Sequence, residues 1–294
     1  MLFINWIPEY NVGVDELDRQ HRDLVKWINQ FHEAMAKPHE GDETGVILSC
    51  LKDYVKKHFP AEEEFLKIIR YPLLDKHKKL HLAMKSEVKE IEQRRKKKQR
   101  IPSTEVLKLL RCWIIDHVQN EDGKYSDYLK HTSGFDERYY LIWNADLRLD
   151  GEHIDRSNEE FIRLFNQLHA SVSFGDGDSE IEAHLNDFFN YCQTIFADEE
   201  ELMERIMYSH YEVHRADHES LLGKSHEIRF KLKSDSMREN AEGLKFLSEW
   251  IIEHIEGEAA RYVNYVNQNN VSPENMFVTW DRNYSIDIDE FDSQ

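Results

Sequence analysis

The sequence predicts an all-α fold of two tandem up-down-up-down four-helix bundles, each preceded by an extended N-terminal arm. Three observations lead there. Glycine and proline are scarce, 11 and 6 of 294 residues, well below the ~12% of an average chain. That leaves too little turn chemistry for most all-β folds. Apolar residues recur at helical spacing over long stretches. And the chain repeats itself without gaps at a shift of 137 residues.

The repeat is read from many positions at once. Leu17-Asp18-Arg19 recurs as Ile154-Asp155-Arg156, and Asn29-Gln30-Phe31-His32 as Asn166-Gln167-Leu168-His169. Trp6 becomes Trp143, Phe59 becomes Phe196, Tyr71 becomes Tyr208 and Trp113 becomes Trp250. Residues 1–136 and 137–273 are therefore expected to be duplicated domains. Residues 274–294 begin a third copy. There Phe277-Val278-Thr279-Trp280 echoes Phe3-Ile4-Asn5-Trp6, and Asp289-Glu290-Phe291-Asp292 echoes Asp15-Glu16-Leu17-Asp18. The expectation is either a longer array or self-assembly through this C-terminal arm.

Each copy opens on an arm without helical periodicity. In the first copy, apolar spacing then marks helices over 17–37, 43–69, 73–99 and 103–130. Gly41-Asp42, Tyr71-Pro72 and Pro102-Ser103 separate them, with Ser103 in the position of an N-cap. The second copy gives 154–173, 178–206, 210–234 and 237–268. Long helices joined by short loops make neighbours antiparallel.

Charge and composition exclude several functions. Lys plus Arg number 38 and Asp plus Glu 57, a net charge of −19. Such an acid excess argues against a general binder of nucleic acid or anionic membranes. The basic run Arg94–Arg100 reads as a solvated helix end, where cations offset the helix dipole; the alternative is a docking site for an acidic face. Cys50, Cys112 and Cys192 form no CxxC pair and read as packing residues, which fits a reducing compartment. The N-terminus lacks a basic, then apolar, leader, and no apolar run reaches the ~18 residues of a membrane span. A cytoplasmic protein with no membrane insertion is expected. No phosphate loop, nucleophile elbow or nucleic-acid module is present.

Histidine is the conspicuous residue, with 16 copies. On the helices of the first copy, His58 and Glu62 stand four apart, as do His77 and His81, each pair on one face. His21 lies on the first helix, and His117 and Asp122 on the fourth, beside Trp113, Ile114 and Ile115. One such histidine is ordinarily a packed or surface residue. Five of them with two carboxylates on core-facing stripes are very costly to bury unless something binds or neutralises them. Imidazole with carboxylate suits iron, zinc or copper. Seven ligands exceed one tetrahedral zinc and suit two ions that share carboxylates. His32 and His169 match each other outside this set and read as structural.

The first copy resembles a bacterial hemerythrin domain. The resemblance rests on Trp6, Asp18-Arg19-Gln20-His21, His58-Phe59-Pro60-Ala61-Glu62-Glu63, Tyr71-Pro72, His77-Lys78-Lys79-Leu80-His81, and Trp113 with His117 and Asp122. It implies a non-haem di-iron site for reversible O2 binding, in transport, storage or delivery, rather than an enzyme. By this likeness His77, His81 and His117 hold one iron and His21 and His58 the other. Glu62 and Asp122 bridge them, with an oxo or hydroxo ligand, and the two-His iron is open to O2. Each ferrous ion gives O2 one electron. Trp113 and Ile114 would form part of the apolar O2 pocket. The rival expectations are an O2 or redox sensor, a di-iron peroxidase, oxidase or NO-reducing enzyme, and a structural multi-repeat assembly.

The second copy departs from that pattern. His21, His58 and Asp122 become Asn158, Ile195 and Ala259, while Glu62, His77, His81 and His117 persist as Glu199, His214, His218 and His254. Two readings stand: a metal-free scaffold for assembly or regulation, or a mononuclear iron or zinc site with Glu258 as a replacement acid. Ile195 at a ligand position argues against two metals, so the second copy is not expected to carry O2 by the two-iron route.

Overall fold

A computed structural model describes residues 2–35, 42–131, 135–149, 152–234 and 236–269. The third copy, 274–294, lies outside the described residues, as does the assembly expected through it. Among the described residues there is no strand. The chain divides into two compact units. The first gathers residues up to Ile142 together with His169–Gly175, and the second takes up the rest from Trp143.

In the first repeat the helices are α1 (Asp15–Met35), α2 (Glu43–Ile68), α3 (Leu74–Lys96), α4 (Ser103–Cys112) and α5 (Gly123–His131). A π-helical segment, Trp113–Asp122, joins α4 to α5, so the predicted fourth helix is one rod with its middle underwound. The second repeat runs α6 (Glu152–Ser173), α7 (Asp178–Arg205), α8 (Tyr211–Gly223), α9 (Ser225–Leu232), α10 (Met237–His254) and α11 (Ala260–Gln268). A shorter π segment, Ile255–Ala259, lies between α10 and α11. The expected helix over 210–234 is broken at Lys224, just after Gly223, a poor helix former. Ser103 is not the N-cap: Pro102 takes that place, with no side-chain cap, and Ser103 begins the helix.

The arm is fastened by two polar side chains, half-buried Asn29 and buried Asp18. Asn29 Oδ1 accepts from the backbone N–H of Phe3 (2.8 Å) and Ile4 (2.9 Å), and its Nδ2 donates to Ile4 O at 2.8 Å. Asp18 accepts from Val12 N at 2.6 Å and Gly13 N at 3.3 Å. The repeat reproduces the device, with Leu149 N donating to Asp155 at 2.8 Å. The α2–α3 and α7–α8 turns are also twins. Arg70 (φ 55°) and Met207 (φ 53°) adopt the left-handed conformation usually left to glycine. Tyr71 N then donates to Leu66 O, and Tyr208 N to Met203 O, each at 2.9 Å, capping the orphan carbonyls of α2 and α7. Burial of Tyr71 and Tyr208 supports these turns without glycine.

The basic run is used locally. Arg94 pairs with Glu105 and Arg95 with Asp42, tying the end of α3 to the starts of α4 and α2. His32 stacks on Phe3 of the arm at 4.9 Å, a packing role. All three cysteines are free thiols. No described helix is long and apolar enough to cross a membrane.

The core of the first bundle is split in two. One apolar cluster holds Leu24, Ile28, Leu51, Tyr54, Phe59, Trp113, Ile114 and Val118. The other holds Val12, Leu17, Phe65, Leu66, Tyr71 and Tyr125. Along each helix the change from one cluster to the other falls at the histidines and carboxylates.

Candidate metal centre

All seven ligand candidates of the first repeat are buried, from 0% exposed at His21, Glu62, His81 and Asp122 to 5% at His117. Their position follows from helix geometry. His58 and Glu62 on α2, and His77 and His81 on α3, share a face at four-residue spacing. His117 and Asp122 are five apart, which an α-helix places about 140° from each other. The π segment that contains both has a wider turn and brings both inward.

The side chains converge. His21 Nε2 and His58 Nε2 are 3.1 Å apart, and His81 Nε2 and His117 Nε2 are 2.9 Å apart. Glu62 Oε2 lies 3.0 Å from His81 Nε2, 3.2 Å from His77 Nε2 and 3.7 Å from His58 Nε2. Asp122 Oδ1 faces His117 (3.4 Å) and His77 (3.5 Å), while its Oδ2 faces His21 at 3.5 Å. Donors held about 2.1 Å from one ion at right angles stand about 3.0 Å apart, so these spacings fit ligands around ions. Both oxygens of Asp122 are buried and accept no hydrogen bond. A carboxylate left in that state is costly, and an ion on each side of it removes the cost.

A further set of groups orients the imidazoles. His58 Nδ1 donates to Gln20 Oε1 at 2.7 Å and His81 Nδ1 to Glu63 Oε1 at 2.8 Å, leaving each Nε2 lone pair for the centre. Tyr54 stacks on His58 at 4.5 Å, and Phe59 lies flat on His81 at 3.8 Å. Tyr125 OH donates to Glu62 Oε1 at 2.7 Å. Trp113 and Ile114 are buried in the first apolar cluster, and Trp113 Nε1 donates to Glu87 at 3.1 Å.

Burial lowers His21, His58 and His117, which favours the neutral, ligating form. His21 is lowered to about 4 and His117 to about 3, burial being the largest cause in each. For His81, burial is outweighed by Glu62 and Glu63, which raise it. Burial also opposes ionisation of Glu62, but the charges of His77 and His58 hold its carboxyl well below the usual range. Asp122 goes the other way, pushed well up by burial and then by the Glu62 charge.

The second repeat assembles Glu199, His214, His218 and His254, all buried, with donor atoms within 4.8 Å of one another. Glu258 does not join them; its carboxylate pairs with Arg261 on the same helical rod. Asn158, Ile195 and Ala259 are buried at the positions of the missing ligands. Gln20, Glu63 and Tyr125 were missed as site residues, although Gln20 and Glu63 adjoin ligands in the sequence. Asp217 was missed as well: it donates no signal as a lost ligand, but it is an acid gained where the first repeat has Leu80.

These features define a histidine- and carboxylate-lined metal site inside a helical bundle. The family model "Hemerythrin HHE cation binding domain" matches residues 12–129 and again 150–266. The chain belongs to the hemerythrin family, as two tandem domains. Among curated relatives, the bacteriohemerythrin of Stenotrophomonas maltophilia (strain R551-3) is 29% identical over 136 residues, covering 46% of this chain and 88% of that protein. A bacteriohemerythrin of Pseudomonas aeruginosa (strain LESB58) is 29% identical over 135 residues, 45% of this chain and 85% of that protein. The myohemerythrin of Theromyzon tessulatum is 29% identical over 125 residues, 42% and 92%. No solved structure matches the chain. Membership implies non-haem iron binding and the binding or sensing of O2.

Proposed function

We propose that the first repeat holds two iron ions and binds O2 reversibly, for transport, storage or delivery. The observation that carries this reading is Asp122, whose two buried, unbonded oxygens face two different histidine groups. His77, His81 and His117 would hold one ion and His21 and His58 the other, with Glu62 and Asp122 between them. Two ferrous ions held there would supply the two electrons and the coordination position that reversible O2 binding needs. The His21–His58 side offers one imidazole fewer, which would leave the open position for O2 on that side.

The chain's own residues set the conditions for that chemistry. Gln20 and Glu63 fix which imidazole nitrogen faces inward. Tyr54 and Phe59 lock two of the rings by stacking. Tyr125 holds Glu62 by one oxygen. Trp113 and Ile114 are assigned to the apolar wall that excludes water from the O2 side. With three of the seven ligands replaced, the second repeat takes no part in O2 binding by this route.

The test is anaerobic loading with Fe(II), followed by iron counting and optical spectra through cycles of O2 and deoxygenation. A charge-transfer band that rises with O2, falls on its removal and is lost in His58→Ala is expected. A band that forms once and never reverses moves the function to an oxidase or peroxidase. Absence of the band in fully iron-loaded protein refutes the proposal.

A further inference from the structure

We propose that the second repeat holds a single divalent transition-metal ion, iron or zinc, between Glu199, His214, His218 and His254, with Glu200 and Asp217 as its positioning residues. This does not rest on the O2 chemistry of the first repeat.

Glu199 Oε2 lies 3.3 Å from His214 Nε2 and 3.4 Å from His218 Nε2. All three atoms are buried, and none makes a hydrogen bond. Unbonded polar atoms converging in a core are costly unless something binds them. Four donors about 2.1 Å from one ion in a tetrahedron stand about 3.4 Å apart, which matches these spacings.

The surroundings keep the donors ready. His218 Nδ1 donates to Glu200 Oε1 at 2.9 Å, the twin of the His81–Glu63 bond. His254 Nδ1 donates to Asp217 Oδ2 at 2.8 Å. Asp217 stands where the first repeat has Leu80, so this repeat has gained a carboxylate that fixes a ligand's tautomer. Phe196 lies flat on His218 at 3.8 Å, and Trp250 on His254 at 4.8 Å. The Asp217 pairing leaves His254 Nε2 as the nitrogen free to ligate. Ile195 and Ala259 offer no ligand for a second ion. Four ligands from the protein close a tetrahedral zinc site, and a lone ferrous ion there has no second iron to supply O2 with the other electron; either ion stabilises the bundle.

The experiment uses the full chain, loaded anaerobically with Fe(II) or separately with Zn(II), desalted and counted by elemental analysis, with helicity checked by circular dichroism. Three ions per wild-type chain are expected, two in His214→Ala/His218→Ala, and at least one in His77→Ala/His81→Ala, which removes ligands of only one of the two first-repeat ions. Asp217→Leu, at a side chain 30% exposed and so tolerant of change, is expected to weaken retention of the third ion about 10–100-fold against a chelator. A helical His77→Ala/His81→Ala protein that holds neither metal overturns the proposal, as does a wild-type count unchanged by His214→Ala/His218→Ala. Should the first-repeat reading fail instead, the single ion remains in the wild type and disappears with His214→Ala/His218→Ala.

Discussion

Replacing Tyr125 by Phe removes one oxygen and almost nothing else. The side chain is fully buried, and its hydroxyl donates to Glu62 Oε1 at 2.7 Å. Burial, and then the charges of Glu62 and Asp122, push the Tyr125 pKa well up, so the phenol stays a donor. A hydrogen bond to a charged group contributes about 1.5–3 kcal/mol. If Glu62 keeps this bond when metal binds, the metal-free and metal-bound folds lose it equally, and iron affinity of the folded protein is expected to change little. The metal-free protein loses the same bond, so its melting temperature drops by about 3–12 °C for a domain of this size. The second repeat supplies the control. Tyr262 OH, at the matching position, has no hydrogen-bond partner, so Tyr262→Phe is expected to be neutral or stabilising. A Tyr125→Phe protein with unchanged metal-free stability would refute the reasoning, as would one whose iron affinity rises about 10–100-fold, because Glu62 would then leave Tyr125 when the ions bind.

Gln20→Ala removes the acceptor that fixes His58; iron retention is expected to fall about 10–100-fold, read by chelator competition, with little change in helicity. Asp18→Ala unfastens the arm at Val12 and Gly13, and a loss of about 1.5–3 kcal/mol should appear in urea unfolding of the metal-free protein. Acid should destabilise the metal-free fold through His21 and His117, lowered to about 4 and about 3 by burial. Unfolded histidine titrates near ~6.5, so the unfolded chain binds more protons below that pH. Their contribution is therefore complete above about 6.5 and is lost as the pH falls through the folded values; urea midpoints that stay flat from pH 7 to pH 4 would contradict it.

Much of the first repeat's site was legible because its ligands obey ordinary helix spacing. His58 with Glu62 and His77 with His81 announce a shared face, and the 137-residue shift shows that the halves have the same architecture. What was not legible depends on context. The break after Gly223 turns on one poor helix former that apolar spacing does not register, and α4 begins at Ser103 with no side-chain cap on Pro102. Asp217 is not one of the substituted ligands; it stands where the first repeat has Leu80, so no lost ligand points to it. The same alignment also shows gains, and an acid beside His218 was the signal.

The π segments carry the least visible information and explain the most about how the site is built. In the first repeat, five-residue spacing would point His117 and Asp122 in different directions, yet both are buried at the centre, and only the underwound backbone reconciles the two. A pull from metal on Asp122 would be one explanation. The second repeat argues against it. Ala259 replaces the acid, and a π segment still follows His254 directly. Ile255, Ala259 and Tyr262 are all buried, so the distortion keeps an apolar face turned inward with no ligand to gain. The underwinding therefore belongs to the packing of the bundle. The first repeat uses it by placing a carboxylate at the position it turns inward, and the second leaves that position to a methyl group.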